Sequence, residues 1–223
     1  MLFKWITCRV HEHMRDAFFA AQTKWTTLAN MPGFIGQLGG WDLKSRNEAC
    51  ILGIWQDQES YNAFMDQHHD RIFQKNEQAR TCESIHVALL QPVCAIAGSY
   101  ENMHQCLRPA EVMRVADCFV LPEREKNFLE VQEKIWNPAM GKAEGILAGS
   151  FTRALNRENR YIVTTLWSSV EAHNRYVRKT LPSVSEAACV PQDVQQITGR
   201  LVKLNADWLV MPGVTSRTGD ANL

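Results

Sequence analysis

One pattern occurs twice in this chain. GFIGQLGGWDLKSRNEACILGIWQDQESYNAFM runs from Gly33 to Met65, and EGILAGSFTRALNRENRYIVTTLWSSVEAHNRYV from Glu144 to Val177. Each holds a small-residue-rich strand, a polar turn, an apolar strand ending in Trp, and a helix with an acidic residue at its opening. At an offset of 112 residues Gly33 falls on Gly145, Ile54-Trp55 on Leu166-Trp167, Glu59 on Glu171, Tyr61 on His173 and Phe64 on Tyr176. At a slightly shorter offset Gln22-x-x-Trp25 approaches Gln132-x-x-x-Trp136. Identity is thin, but the order of periodicities is the same, and a repeated order of elements is the signature of a repeated structural unit.

Hydrophobic periodicity gives each copy the order β-α-β-β-α-β. In copy one, strands are expected at residues 3–10, 34–42, 49–56 and 83–90. Helices are expected at 14–28, stopped by Met31-Pro32-Gly33, and from Ser60 to about Glu77. Copy two repeats this with strands at 115–121, 145–155, 161–167 and 201–210. Its helices are expected at 123–136 and 170–179, the second stopped by Pro182, with residues 183–199 looping back. The expected division is a first unit over 1–92, a linker over 93–110 that adds an edge strand or short helix, a second unit over 111–211 and a flexible tail over 212–223. The fold class is α+β, two ferredoxin-like units in one chain. A sheet with helices on one face has a second face to hide. Seven Trp and nine Phe suggest that the two sheets bury aromatic faces against each other.

Composition narrows the function. The 223 residues include 24 basic and 24 acidic side chains, so no overall field favours nucleic acid. MLFKWITCRVHEH lacks a secretory pattern, and no run approaches the ~20 apolar residues of a membrane helix. A cytoplasmic protein without membrane partners is expected. Seven cysteines, an odd number with no CxxC pair, read as reduced, mostly buried thiols. No GxxxxGK, GxGxxG, GxSxG or HExxH occurs, and the glycines of Phe34 to Gly40 fit close strand packing instead.

Several short signatures sit together in copy one: Lys4-Trp5, Gln22-x-x-Trp25, Gly33-Phe34-x-Gly36-Gln37-x-Gly39-Gly40-Trp41, Trp55-Gln56-Asp57-x-x-x-Tyr61-x-x-Phe64-Met65 and His69-Asp70-Arg71-Ile72. With the duplicated order, they make the chain resemble tandem antibiotic-biosynthesis-monooxygenase domains of the dimeric α/β barrel superfamily. Copy one is similar to a poorly characterised bacillary-type family of such domains. The resemblance implies a dimeric α/β barrel-like arrangement within one chain and a range of activities, including cofactor-free quinone-forming monooxygenases and haem-degrading enzymes. The haem-degrading relatives use an Asn on the first strand, a Trp in the second helix and a His near its end. Here the first strand has no Asn, Met65 stands where that Trp would be, and Lys75-Asn76 lie near the His position. No cofactor is expected, and haem stays open only as a ligand.

Candidate site residues follow from chemistry. His68-His69-Asp70 lies late in the second helix of copy one, where copy two has Lys179-Thr180-Leu181. A His can take a proton near neutral pH and an Asp can orient its ring, so these three are the catalytic candidates. Adjacent helix positions diverge by about 100°, so at most one His faces a cavity. Trp25, Trp41, Trp55, Tyr61 and Met65 could line an aromatic-ligand cavity, with Arg71 receiving an acidic group. His11-Glu12-His13 has alternate spacing but no third ligand, so no metal site is expected. His86 and His104 have no partner specified by sequence. The expected function is a cofactor-independent monooxygenase or related small enzyme acting on an aromatic or quinol-like molecule, with His68 or His69 as base. The alternatives are a non-catalytic small-molecule-binding or stress-related protein, or a structural domain without ligand. A monomer with an internal pseudo-dimer is sufficient, and a homodimer is the alternative.

Overall fold

The alternation in LFKWITCRV becomes β1 (Leu2–Val10), with Phe3, Trp5 and Thr7 on one face and Leu2, Lys4, Ile6 and Cys8 on the other. This is a computed structural model, described for residues 1–189 and 192–213. After β1 come α1 (Arg15–Thr23), a 3-10 segment (Lys24–Asn30), β2 (Phe34–Asp42) and β3 (Glu48–Trp55). One continuous helix then runs as α2 (Gln58–Phe64), a π turn (Met65–His69) and α3 (Asp70–Asn76), before β4 (Cys82–Ala97). Copy two supplies β5 (Val112–Val120), α4 (Glu125–Val131), a π turn (Gln132–Trp136) and α5 (Asn137–Gly141). It continues with β6 (Ile146–Ala154), β7 (Arg160–Trp167), α6 (Val170–Lys179), α7 (Leu181–Ala188) and β8 (Val194–Leu204).

Each half orders its strands 4-1-3-2, the ferredoxin-like arrangement, and the halves join at both edges into one closed barrel, β1-β3-β2-β8-β5-β7-β6-β4. All neighbours are antiparallel. Closure gives both edge strands of each half a partner in the other half. It also gives β3 and β7 two buried faces, which is why both read as nearly continuous apolar runs.

The same local devices recur in both copies. Gly33 (φ 71°) and Gly145 (φ 85°) take the left-handed region that glycine enters without strain. A Cβ at either would also lie 2.2 Å from Ser60 Oγ or 2.4 Å from Ala172 Cβ, so these glycines let the second helix sit close to its sheet. Asp57 and Ser169 cap those helices by accepting from the Ser60 and Ala172 backbone N–H at 2.8 and 3.0 Å.

The structure departs from the sequence expectation in three places. Strand β4 runs on to Ala97, through what reads as linker, because its first half pairs with β1 and its second with β6. The register shift between Pro92 and Cys94 accommodates the proline that has no N–H to give. Pro182 does not merely stop α6. It stands near the start of α7, where a missing N–H costs nothing, and β8 then begins at Val194 rather than near Leu201. Finally, the sheets do not bury aromatic faces against each other. The lumen is largely aliphatic, with Phe3 and Trp5 its aromatics, and Met103, Cys106 and Leu107 of the β4–β5 connection join it. Trp25, Trp55, Trp167 and Trp208 lie instead in the layers between sheet and helices. All seven cysteines are free thiols. Most of the tail expected over 212–223 lies outside the described residues.

The β2–β8 seam is narrow, three paired positions from Gly40↔Leu204 to Asp42↔Val202, supplemented by a bridge between Gln37 and Val210. A Cβ at Gly40 would fall 1.9 Å from the Lys203 carbonyl oxygen, whereas one at Gly53 meets nothing nearer than 3.8 Å. Gly40→Val should therefore lower stability by about 1–3 kcal/mol, and Gly53→Ala by less than ~0.5 kcal/mol. Urea unfolding midpoints measure both. An unchanged midpoint for Gly40→Val would contradict the seam.

Candidate active site

A cavity of about 160 Å³ lies between the copy-one sheet and its helices. The outward face of β1 contributes Lys4, Ile6 and Cys8 to its floor. The 3-10 segment after α1 brings Trp25 and Leu28, and the second helix brings Phe64, His69 and Phe73. The π turn at Met65–His69 shifts the helix register by one residue, so His69 rather than His68 reaches the cavity.

His69 sits in an aromatic box. Its ring centroid lies 5.8 Å from Trp25, 5.9 Å from Phe64 and 5.7 Å from Phe73, the last nearly parallel at 15°. Its Nδ1 stands 2.9 Å from Asp70 Oδ1. With the proton on Nδ1 donated to Asp70, Nε2 is left as the basic nitrogen. Trp25 is fixed in turn by a buried amide chain. Its Nε1–H donates to Gln78 Oε1 at 2.7 Å, and Gln78 Nε2 donates to Gln22 Oε1 at 2.7 Å. The left-handed Glu77 (φ 52°) ends α3 and turns Gln78 inward. Gln37 also lines the cavity, and its buried Nε2 has no partner among the described residues.

Lys4 is the cation of this site. Its Nζ lies 5.4 Å from the Tyr61 ring centre and 3.9 Å from Met65 Sδ, and no carboxylate among the described residues pairs with it. Burial pulls its ammonium down to about 8, with a small opposing effect from Cys8.

The sequence candidates separate accordingly. His69, Trp25 and Trp55 line the cavity, and Tyr61 and Met65 stand beside Lys4. His68 turns to a surface groove and lies 3.4 Å from the exposed Arg71. Trp41 is elsewhere, packed on Phe18 and Trp208 with Arg15 stacked 3.8 Å over its ring. His11 and His13 stack on the surface, with His11 3.0 Å from Glu83. No group of three His, Cys, Asp or Glu side chains suited to a metal ion occurs among the described residues. Sequence reasoning did not single out Lys4, Gln22, Gln37 or Gln78 as site residues. For Lys4 a signal existed: a charged residue on the same strand face as the apolar Leu2 and Ile6.

Copy two has a smaller cavity of about 50 Å³ in the corresponding layer, with Arg114 in it. His173, in contact with Trp167, is pulled down to about 4, first by burial and then by the charge of Arg114.

Comparison with known proteins follows the same division. A family model described as a domain of unknown function, DUF4937, matches residues 2–90. The uncharacterized protein YdbC of Bacillus subtilis is 37% identical over 94 residues, covering 41% of this chain and 78% of that protein. Among solved structures, a candidate monooxygenase of Fusobacterium nucleatum superposes with a TM-score of 0.75 at 12% identity, over 95% of this chain and 94% of the other. An anthrone oxidase-like protein gives 0.71 at 13% identity, over 100% and 96%. A Listeria monocytogenes ferredoxin-fold protein related to antibiotic biosynthesis monooxygenases gives 0.50 at 11%, over 96% and 95%. At these identities the structural likeness is one of fold. No helix among the described residues is long and apolar enough to cross a membrane.

The lowered Lys4 pKa has a stability consequence. The unfolded chain holds this proton more tightly than the fold, so the folded state is penalised below about 8 and relieved as pH rises toward the unfolded value of 10.5. Lys4→Met should therefore stabilise the protein at pH 7 by about 1–3 kcal/mol, with the gain shrinking by pH 10. Paired urea titrations at the two pH values test this. A variant less stable than wild type at pH 7 would contradict it.

Proposed function

The chain belongs to the DUF4937 family through its first half, and from the geometry of the copy-one cavity we propose that it is a cofactor-independent oxygenase acting on a small hydroxyarene. The reading rests above all on His69, bonded to Asp70 and lining an aromatic cavity that also holds the unpaired Lys4. The fold shared with an anthrone oxidase-like protein and with candidate monooxygenases supports it.

In this scheme Trp25, Phe64 and Phe73 hold the His69 ring in place, and the substrate ring lies beside this aromatic cluster with water excluded. Nε2 of His69 takes the hydroxyl proton, and Asp70 steadies the imidazolium that results. Lys4 Nζ meets the oxyanion left behind, in a low-dielectric setting where a fixed cation acts strongly. The electron-rich arenolate is the reductant for O₂. Oxygen adds to a ring carbon, and the hydroperoxide loses water to leave a carbonyl. For a naphthol the products are naphthoquinone and water, so all atoms and electrons are accounted for without a further reductant.

The cavity volume of about 160 Å³ lies below the roughly 300 Å³ at the lower end of drug-sized sites. That favours a one- or two-ring substrate over a porphyrin, so haem has no place in the scheme. A second reading, binding without turnover, is favoured by the 85% exposure of the Asp70 side chain, which weakens its hold on the ring. Because both edges of each sheet are paired within one chain, a monomer suffices for either role.

Oxygen consumption and quinone absorbance with a panel of phenols and naphthols test the scheme. His69→Ala should lower turnover by about 10²-fold or more, while His68→Ala should leave it within twofold. Equal rates for wild type and His69→Ala would remove His69 from catalysis. Saturable binding of the panel without turnover would select the second reading.

A further inference from the structure

The first strand of each copy carries a cation at its third residue, Lys4 in β1 and Arg114 in β5. Both side chains point to the helix layer and both line a cavity there. Their neighbours also correspond: Cys8 and Gln22 in copy one are matched by Cys118 and Gln132 in copy two. Neither cation has a carboxylate partner among the described residues. The buried carboxylates of copy two are engaged elsewhere, Asp117 by Arg160 at 2.7 Å and Asp193 by Arg124 at 2.8 Å.

A guanidinium in an apolar layer is costly without a counter-ion, and among the described residues no carboxylate offsets this one. The groups that act on its charge are the Tyr176 hydroxyl and the Cys118 thiol, both of which burial keeps neutral. The Tyr176 hydroxyl and both His173 ring nitrogens are buried near it without hydrogen-bond partners among the described residues. Apart from Arg114, Cys118, Gln132 and Trp136, the lining of the cavity is hydrocarbon. Phe128, Met140 and Val163 form its wall, and Ile197 stands at its mouth, 51% exposed. Gln132 and Trp136 enter from opposite ends of a π turn, a helix distortion that concentrates at functional sites.

We propose that the copy-two cavity is a second ligand site, taking a small carboxylic acid whose carboxylate pairs with Arg114 and whose short hydrocarbon end lies against Phe128, Trp136 and Ile197. Arginine presents a planar fork that a carboxylate meets with two parallel hydrogen bonds. The volume of about 50 Å³ admits a chain of a few carbons and not the ring system proposed for copy one. The two copies then share one design, a strand cation beneath an aromatic helix layer, with different ligand sizes. This site is independent of the copy-one chemistry.

Titration of the full chain with ¹³C-carboxyl-labelled acetate, propionate, butyrate and isovalerate, read by NMR line broadening and shift, tests the proposal, with phosphate as a control for charge alone. Saturable binding of at least one acid is expected, unaffected within twofold by Lys4→Met and weakened about tenfold or more by Arg114→Gln. Ile197→Glu, at the exposed mouth, should weaken it as well by charge repulsion, and it keeps the test valid if Arg114→Gln does not fold. No saturable binding by any of the four acids overturns the proposal. So does binding that survives both copy-two variants, or binding abolished by Lys4→Met alone.

Discussion

Two backbone seams hold this architecture together. A four-stranded ferredoxin-like sheet ends in two open edges, each a row of unsatisfied N–H and C=O groups. Here the open edge of each copy is the partner of the other: β2 pairs with β8 and β4 with β6. The seams are unequal. The β4–β6 ladder spans residues 90–97 of β4, whereas β2–β8 has three paired positions and depends on Gly40 for close approach. Closure turns one face of every strand toward a shared lumen and the other toward helices. Two distinct interiors result, and each has its own composition.

That division explains where chemistry can occur. The lumen is filled by aliphatic side chains from both halves and by Met103, Cys106 and Leu107 of the β4–β5 connection. The copy-one sheet–helix layer is rich in aromatic rings and is less completely filled, holding a cavity of about 160 Å³. A cation on the first strand of each copy enters such a layer from below. In copy one the gap is the larger, and the π turn in the second helix delivers His69 to it. In copy two the π turn lies in the first helix and delivers Gln132 and Trp136, while His173 and Tyr176 are packed under the second helix. The duplication preserved the frame and let the two cavities diverge.

Much of the fold was legible in the chain itself. The repeat offset, the glycines at 33 and 145, the strand-end tryptophans and the acidic openings of the second helices were local signals, because each answers to a backbone need within a few residues. The helix histidines were legible as a pair, but which of them faced inward was not, since a one-residue π insertion changes the facing by about 100°. Trp41 and Trp25 looked alike in sequence. Only packing sent one to Arg15 and Trp208 and the other to the cavity.

The sequence by itself determined the repeated β-α-β-β-α-β order and the strand faces, because side-chain alternation and turn chemistry act over short distances. It did not determine that the halves join edge to edge, that β4 runs through Pro92 to serve both halves, or that the lumen is aliphatic. Those outcomes depend on which distant backbone groups satisfy one another, and only the closed tertiary structure brings Gly40 to Leu204 and Leu90 to Ala154. The same holds for Lys4 and Arg114. Their charge is written in the chain, but that no carboxylate among the described residues reaches them emerges only when the strands and helices are in place.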